Sequence, residues 1–329
     1  MVTVGMDVHK SFSFVTATDD QGHILDQRRL PNTRRQLGSY FAHFEDPPQV
    51  AMEACWNWQW IAELLAKKGC QVHLSHPLKT KAIAAAKIKT DKVDSEVLAH
   101  LLRADLLPTS YIPTRRERYM RDLVRHRIEL VQTRSKLANR IWALFAKEGI
   151  DFPYRCLFTQ RGRMHLEKTK LPKIPRRKLD QILEQERLLT RQIEELDVEI
   201  ESHAARSPQA LALMTIPGIG PLSAMVLLSE IGNIDRFPSA KHLCSYFGLV
   251  PSVHQSGPKR QTGHITKQGS RHARWVLVQA AHHAARSSYK TIFRKIKNKR
   301  GGNIAYVAIA RKLTVAVYHV LKEKDVFHR

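Results

Sequence analysis

Three strand-like runs joined by tight turns open this chain, and the residues after them alternate helix with strand. Residues 2–8 (Val-Thr-Val-Gly-Met-Asp-Val), 11–16 and 24–30 carry the period of a strand, with Asp19-Asp20-Gln21-Gly22 as a turn before the third. A helical pattern follows over 33–45. A short apolar strand over 49–53 ends in Glu53, and an amphipathic helix over 58–68 stops at Gly69. Residues 71–74 read as a strand, His76-Pro77 breaks the chain, and helical patterns cover 79–86 and 92–104. Hairpin-linked strands followed by helix–strand alternation predict an α/β layer built on a mixed sheet.

Four acids fall at the ends of these elements. Asp7 closes the first strand, Glu53 the fourth, and Asp91 and Asp94 start the late helix within Lys-Ile-Lys-Thr-Asp-Lys-Val-Asp-Ser-Glu (87–96). Residues three apart share a helix face, and two acids side by side repel unless a cation lies between them. Brought to one sheet edge, the four offer hard oxygen ligands suited to Mg2+ or Mn2+. Two such ions could stabilise the attacking and leaving oxygens of a phosphodiester displacement. Lys89 and Lys92 beside them read as phosphate contacts. A second reading keeps the acids structural, with Thr90 or Asp91 as helix cap and Asp94 beside the positive helix end.

Charge separates this region from the rest. The chain carries +24 in 329 residues, yet residues 1–105 hold 13 basic against 12 acidic residues. The surplus therefore lies after residue 105, where a polyanion partner, nucleic acid, is the natural inference. A membrane surface fits less well, since no amphipathic anchor is evident. No run matches a membrane span, and the N-terminus has no signal-peptide pattern. Cys55, Cys70, Cys156 and Cys244 form no C-x-x-C pair, which predicts a reducing cytoplasm with no disulfide framework or zinc site.

From 115 to 147 the pattern is helical, an apolar stripe crowded by arginines. Residues 155–178 are basic and punctuated by proline. Ile182, Glu186, Leu189, Ile193, Leu196 and Ile200 then recur at heptad spacing with one polar position, predicting a coiled coil or a long antiparallel hairpin. Thr215-Ile216-Pro217-Gly218-Ile219-Gly220 reads either as a helix–hairpin–helix turn, whose backbone N–H groups could hold phosphate at Gly218 and Gly220, or as an ordinary turn. Helices are expected over 221–231 and 239–247. A polar segment with Ser256-Gly257 and Gly263-His264-Ile265-Thr266-Lys267-Gln268-Gly269 follows, then a helical tail with a basic block at 294–300. These shifts set three domains: 1–105 (α/β, metal-binding), 106–206 (helical linker and coiled coil) and 207–329 (mainly α).

Val-Gly-Met-Asp-Val-His-Lys, Met52-Glu53-Ala54 and Lys-Thr-Asp-Lys-Val-Asp together resemble the ribonuclease-H-like, RuvC-type DEDD domain of a bacterial insertion-sequence transposase family that includes the bridge-RNA-guided recombinases. The segment from Gly248 to Arg274 resembles the C-terminal domain of the same family. The resemblance implies a catalytic metal tetrad of Asp7, Glu53, Asp91 and Asp94. It implies Ser256 as a nucleophile forming a phosphoserine with DNA. Lys259, Arg260, Lys267, Arg271 and Arg274 could neutralise phosphoryl charge, and Gly257 would let backbone approach a phosphate. Without the resemblance, Ser256 reads as an ordinary loop serine. The family also implies a structured non-coding guide RNA, donor and target DNA, and a tetramer built from two dimers, with the heptad seam used partly between subunits. It implies a nucleoid-associated, cytoplasmic enzyme with no membrane partner.

Two departures stand out. Ala54-Cys55-Trp56-Asn57-Trp58-Gln59-Trp60 replaces a run that in many relatives holds Ala-Thr-Gly and Tyr, and Ala273 stands where many carry Leu. Core packing is the expected role of the three tryptophans, with base stacking as the alternative. Rival readings are a junction-resolving nuclease using the acids alone, a tyrosine recombinase using His283, Arg286 and Tyr306 or Tyr318, and a basic nucleic-acid-binding protein with structural acids.

Overall fold

The computed structural model describes residues 1–84, 90–257 and 259–327, with backbone alone at Arg260. It divides into two compact units, Met1–Ile112 and Pro113–Arg329.

In the first unit, β1 (Thr3–Val8), β2 (Phe12–Thr18) and β3 (Ile24–Pro31) form an antiparallel meander. The helix α1 (Arg34–Phe41) carries the chain to β4 (Gln49–Glu53), which pairs parallel to β1. A second crossover, α2 (Trp58–Lys67), leads to β5 (Gln71–Ser75), parallel to β4. After α3 (Pro77–Ile83) and α4 (Asp91–Arg103), β6 (Thr109–Ser110) closes the edge antiparallel to β5. The sheet order is β3-β2-β1-β4-β5-β6, the mixed sheet that the strand pattern predicts. Two residues are too few for a pattern to reveal β6, so the unit reaches past residue 105 to Ile112.

Alternation along β1 divides its side chains between two layers. Val4, Met6 and Val8 join Leu37, Phe41, Ile61 and Leu65 of α1 and α2 in one core. On the opposite face α4 packs across β1, β2 and β4. There Leu98, Leu101 and Leu102 meet Ala51 of β4. Gly5 permits this approach, because a Cβ on it would stand 1.9 Å from the Ser95 carbonyl oxygen and 2.5 Å from the Ala99 nitrogen. A buried polar chain fixes the same contact. Gln27 Nε2 donates to Thr16 Oγ1 (3.0 Å), Thr16 pairs with Ser95 Oγ (2.7 Å), and Ser95 donates to the Lys92 carbonyl (2.9 Å).

The second unit starts with α5 (Arg115–Lys147), capped by a reciprocal Thr114–Glu117 box. After α6 (Gln160–Lys168), α7 (Lys173–Ala205) returns antiparallel, as Tyr119 bonds Glu199, Arg127 bonds Asp197 and Arg134 bonds Thr190. The heptad seam faces inward here. Ile182, Glu186, Ile193 and Ile200 are buried, while Leu189 and Leu196 are half-buried. Arg163 of α6 (2.7 Å) and Thr190 (2.7 Å) satisfy the buried Glu186 Oε1. The chain's own α5 and α6 thus fill a seam that the family resemblance assigns partly to a neighbouring subunit. Outside it, Ile174, Leu188 and Val198 are exposed.

The remainder runs α8 (Pro208–Met214), α9 (Pro221–Ile231), a 3-10 turn (Ile234–Arg236) and α10 (Ala240–Tyr246). The hairpin β7 (Pro251–Ser256) and β8 (Lys259–Ile265) follows, then α11 (Arg271–Ala284), α12 (Lys290–Arg300) and α13 (Gly302–Glu323). One core joins Val124 and Ile200 to Leu213, Val226, Phe247, Leu277 and Leu313, so residues on both sides of position 206 share it. Contrary to the sequence expectation, α13 is long and apolar enough to cross a membrane by length and composition, with mean hydropathy 1.4. Its apolarity has a nearer cause, since Ile309, Leu313, Val317 and Leu321 lie in that core.

Candidate metal centre and nucleic-acid surfaces

The C-terminal ends of β1 and β4 lie side by side. Met6 pairs with Met52, so Asp7 and Glu53 come next on adjacent parallel strands. By alternation both fall on the face that α4 covers. Thr90 caps α4, accepting from Val93 N at 3.2 Å, so Asp91 opens the first helical turn instead of capping it. The choice between Thr90 and Asp91 as cap is thereby settled, and the Asp91 carboxylate is left to face β1. His9 Nε2 stands 3.1 Å from Asp7 Oδ2 and 3.2 Å from Asp91 Oδ1. Ligand atoms of Asp7, His9 and Asp91 all lie within 4.8 Å of one another.

Burial pushes the Asp7 carboxyl above its ordinary value. His9 pulls it down, and the charges of Asp91 and Asp94 push it up again. Asp94 therefore also lies within electrostatic reach of Asp7. Crowded carboxylates at a half-buried strand end, with one imidazole among them, form a donor set that fits a divalent cation. Sequence reasoning did not single out His9. Its signal was the Asp-x-His spacing, since i and i+2 share a strand face. Lys92 is exposed on α4, and Lys89 lies outside the described residues.

The three tryptophans part company. Trp58 and Trp60 pack against the first core, as expected, but Trp56 is 81% exposed.

Ser256 ends β7, pairs with Lys259 across the hairpin, and is exposed. Gly257 follows at φ +57°, a left-handed turn position. A polar hairpin whose residues face water on both sides lacks the alternation that marks a strand, which is why this segment does not read as one. Lys259, Lys267 and Arg271 are exposed nearby in sequence, and the Arg260 side chain lies outside the described part. Arg274 has a structural task. Its Nη1 donates to the Phe247 (3.0 Å), Gln268 (2.6 Å) and Gly269 (3.2 Å) carbonyls, tying the loop after β8 to the end of α10.

The Gly218 turn also has a packing cause. At φ +86°, its Cβ would meet the Ala280 carbonyl oxygen at 2.5 Å, so it lets the turn rest on α11. Gly220 caps α9 beside a groove lined by Asp197 and Glu201 as well as Arg127, a mixed charge that favours an ordinary turn over a phosphate cradle. Arginines of α5 act internally too. Arg125 pairs with the buried Glu230 at 2.6 Å, and Arg121 donates to the Ser229 carbonyl at 2.6 Å. The basic tail differs. On α12, which buries no residue, Lys290, Arg294 and Lys297 line an open groove of about 510 Å3 with Arg286 and Asn298. The tyrosine-recombinase reading loses support here, because Tyr318 is buried with its hydroxyl on the Phe237 carbonyl (3.3 Å) and the half-buried Tyr306 ring packs at a tilt against His282 and Phe293.

Comparison with known proteins gives two family matches. Residues 4–147 match the DEDD model described as a transposase, and residues 210–296 match the model described as the transposase IS116/IS110/IS902 family. A probable family 20 transposase of Pseudomonas aeruginosa is 26% identical over 98% of this chain and 98% of its own length. The transposase for insertion sequence element IS1328 of Yersinia enterocolitica is 28% identical over 99% of this chain and 98% of its own. A pilin gene-inverting protein of Moraxella bovis is 35% identical over 37% of this chain and 39% of its own.

Proposed function

This chain belongs to the IS116/IS110/IS902 family of insertion-sequence transposases, and from that premise we propose that it is a DNA recombinase that cuts and rejoins strands through a phosphoserine on Ser256. The observation that carries the reading is the convergence of Asp7, Asp91 and Asp94 with His9 at the end of β1, in the domain type whose name is its acids. In the proposal Asp7, Glu53, Asp91 and Asp94 hold Mg2+ or Mn2+ on a ribonuclease-H-like domain. When bound, such ions supply positive charge to the phosphoryl oxygens and to the departing oxygen.

The chain's own residues do the rest. Ser256 gives up its hydroxyl proton, and its Oγ forms a bond to phosphorus as one P–O ester bond of the strand breaks. The departing sugar oxygen takes a proton. Reversal by the hydroxyl of a new strand rejoins DNA with no external energy source, because the ester is conserved on the serine. The exposed tip position suits a nucleophile that must meet a rigid duplex. Lys259, Arg260, Lys267 and Arg271 neutralise phosphate around it, and the α12 groove takes backbone phosphates. A structured guide RNA pairs with donor and target DNA, which relieves the protein of reading bases by side chain. Assembly is a dimer of dimers, and the exposed apolar residues of α7 support that part of the reading.

Ser256→Ala is expected to abolish covalent protein–DNA adducts on suicide substrates while leaving nucleic-acid binding intact. Because Ser256 is exposed, the change should alter stability by no more than about 0.5 kcal/mol. Adducts that persist would refute Ser256 as the nucleophile, and a wild type that cleaves DNA without forming any adduct would leave a nuclease that works by its acids alone.

A further inference from the structure

The candidate metal centre contains a nitrogen donor that an acid tetrad does not need. We propose that His9 ligates the divalent cation through Nε2, making a mixed nitrogen–oxygen site with Asp7 and Asp91. The inference rests on the metal reading of the acids given above, and the experiment below separates the two.

Three observations carry it. The first is position. His9 Nε2 is 3.1 Å from Asp7 Oδ2 and 3.2 Å from Asp91 Oδ1, so one ring nitrogen faces two carboxylates from different elements. A single N–H points well at only one acceptor, whereas a cation among the three atoms satisfies both carboxylates and takes the nitrogen lone pair. The second is preorganisation. The imidazole stacks on Phe12 with centroids 4.6 Å apart and planes 28° from parallel. Its backbone is pinned as well. The His9 carbonyl accepts from Asn32 Nδ2 (2.8 Å) and Asn57 Nδ2 (2.9 Å), and its N–H donates to the Phe12 carbonyl (2.9 Å). Support of this kind fixes ring orientation, as metal-binding histidines require. The third is donor chemistry. Oxygen ligands suit Mg2+, while imidazole adds affinity for Mn2+ and later first-row ions.

The alternative is that His9 only balances the charge of Asp7 and Asp91. Pulsed electron paramagnetic resonance of the full-length protein loaded with Mn2+ decides between them, because a directly bound imidazole imprints 14N modulation on the spin echo. We expect this modulation in the wild type and its loss in His9→Gln, with Mn2+ affinity falling about tenfold or more and Mg2+ affinity falling less. Modulation missing from the Mn2+-loaded wild type overturns the inference, even if the variant does not fold. Modulation that persists in His9→Gln also overturns it, since another of the 17 histidines would then be its source. Asp7→Asn supplies the separate arm. If Mn2+ does not bind the wild type, or binds it and Asp7→Asn equally, the metal reading itself falls and takes this inference with it.

Discussion

Gly5→Ala tests how the acid cluster is assembled. The new methyl would lie 1.9 Å from the Ser95 carbonyl oxygen and 2.5 Å from the Ala99 nitrogen, both backbone atoms that cannot rotate away. Ordinary non-bonded contact begins near 3.5 Å, so α4 must lift from β1 by roughly 1.5 Å. Overpacking of this kind costs about 1–3 kcal/mol. The lift also stretches the Thr16–Ser95 hydrogen bond, now 2.7 Å, whose loss adds about 1 kcal/mol. The expected destabilisation is therefore about 2–4 kcal/mol. Metal geometry tolerates only about 0.2 Å, so Asp91 and Asp94, which ride on α4, should leave ligating distance. Urea unfolding would show a lower midpoint with an unchanged slope, and Mn2+ titration would show weaker binding. Gly38→Ala is the control, since its methyl would meet nothing closer than Lys68 Cε at 3.9 Å. Inside α1 it should stabilise by about 0.5–1 kcal/mol. A Gly5→Ala protein within about 0.5 kcal/mol of wild type, with unaltered Mn2+ affinity, would refute the claim that α4 is seated by that glycine.

Glu230→Ala leaves Arg125 and Arg121 facing a buried gap and should cost about 3 kcal/mol in urea unfolding, with a loss under about 1 kcal/mol counting against a structural ion pair. Changing Lys290, Arg294 and Lys297 together to Gln should weaken DNA and RNA binding, and should lower the slope of log K against log salt by about 2–3, as read by fluorescence anisotropy. An unchanged slope would mean that the α12 groove holds no phosphates. Asp7 gives a pH signature. Burial first, with Asp91 and Asp94 against the pull of His9, holds its folded value above 3.8. Its contribution to stability is full below 3.8 and is lost as pH rises through the raised folded value. Metal-free Asp7→Asn should therefore gain on wild type as pH rises from 3.8 through the raised folded value, and a constant difference would contradict the shift.

The mixed sheet was legible because alternation and turn residues are local signals. Asp7 and Glu53 at strand ends were legible for the same reason. That they are neighbours follows only from the parallel β1–β4 pairing, which no local pattern states. His9 escaped notice because its role depends on Asp91, 82 positions away, meeting it across the α4 contact. Arg274 looked like a phosphate contact because composition counts charges and does not say which carbonyls already hold them. The seam at 182–200 announced a helix pair but not its partner, since heptad spacing is the same within a chain and between chains.

The one polar position in that seam gives the helix pair a key. Sliding α7 by a heptad past α5 and the α6 packed beside it would carry Glu186 about 10 Å from Arg163 of α6 and strand a buried carboxylate. Leaving such a charge unpaired costs about 3–5 kcal/mol, more than slightly better apolar matching elsewhere returns. The two 33-residue helices therefore have one permitted overlap. An arm keyed in this way works as a ruler of roughly 50 Å, graduated by the Arg163–Glu186 pair and, between α5 and α7 themselves, by Arg127–Asp197.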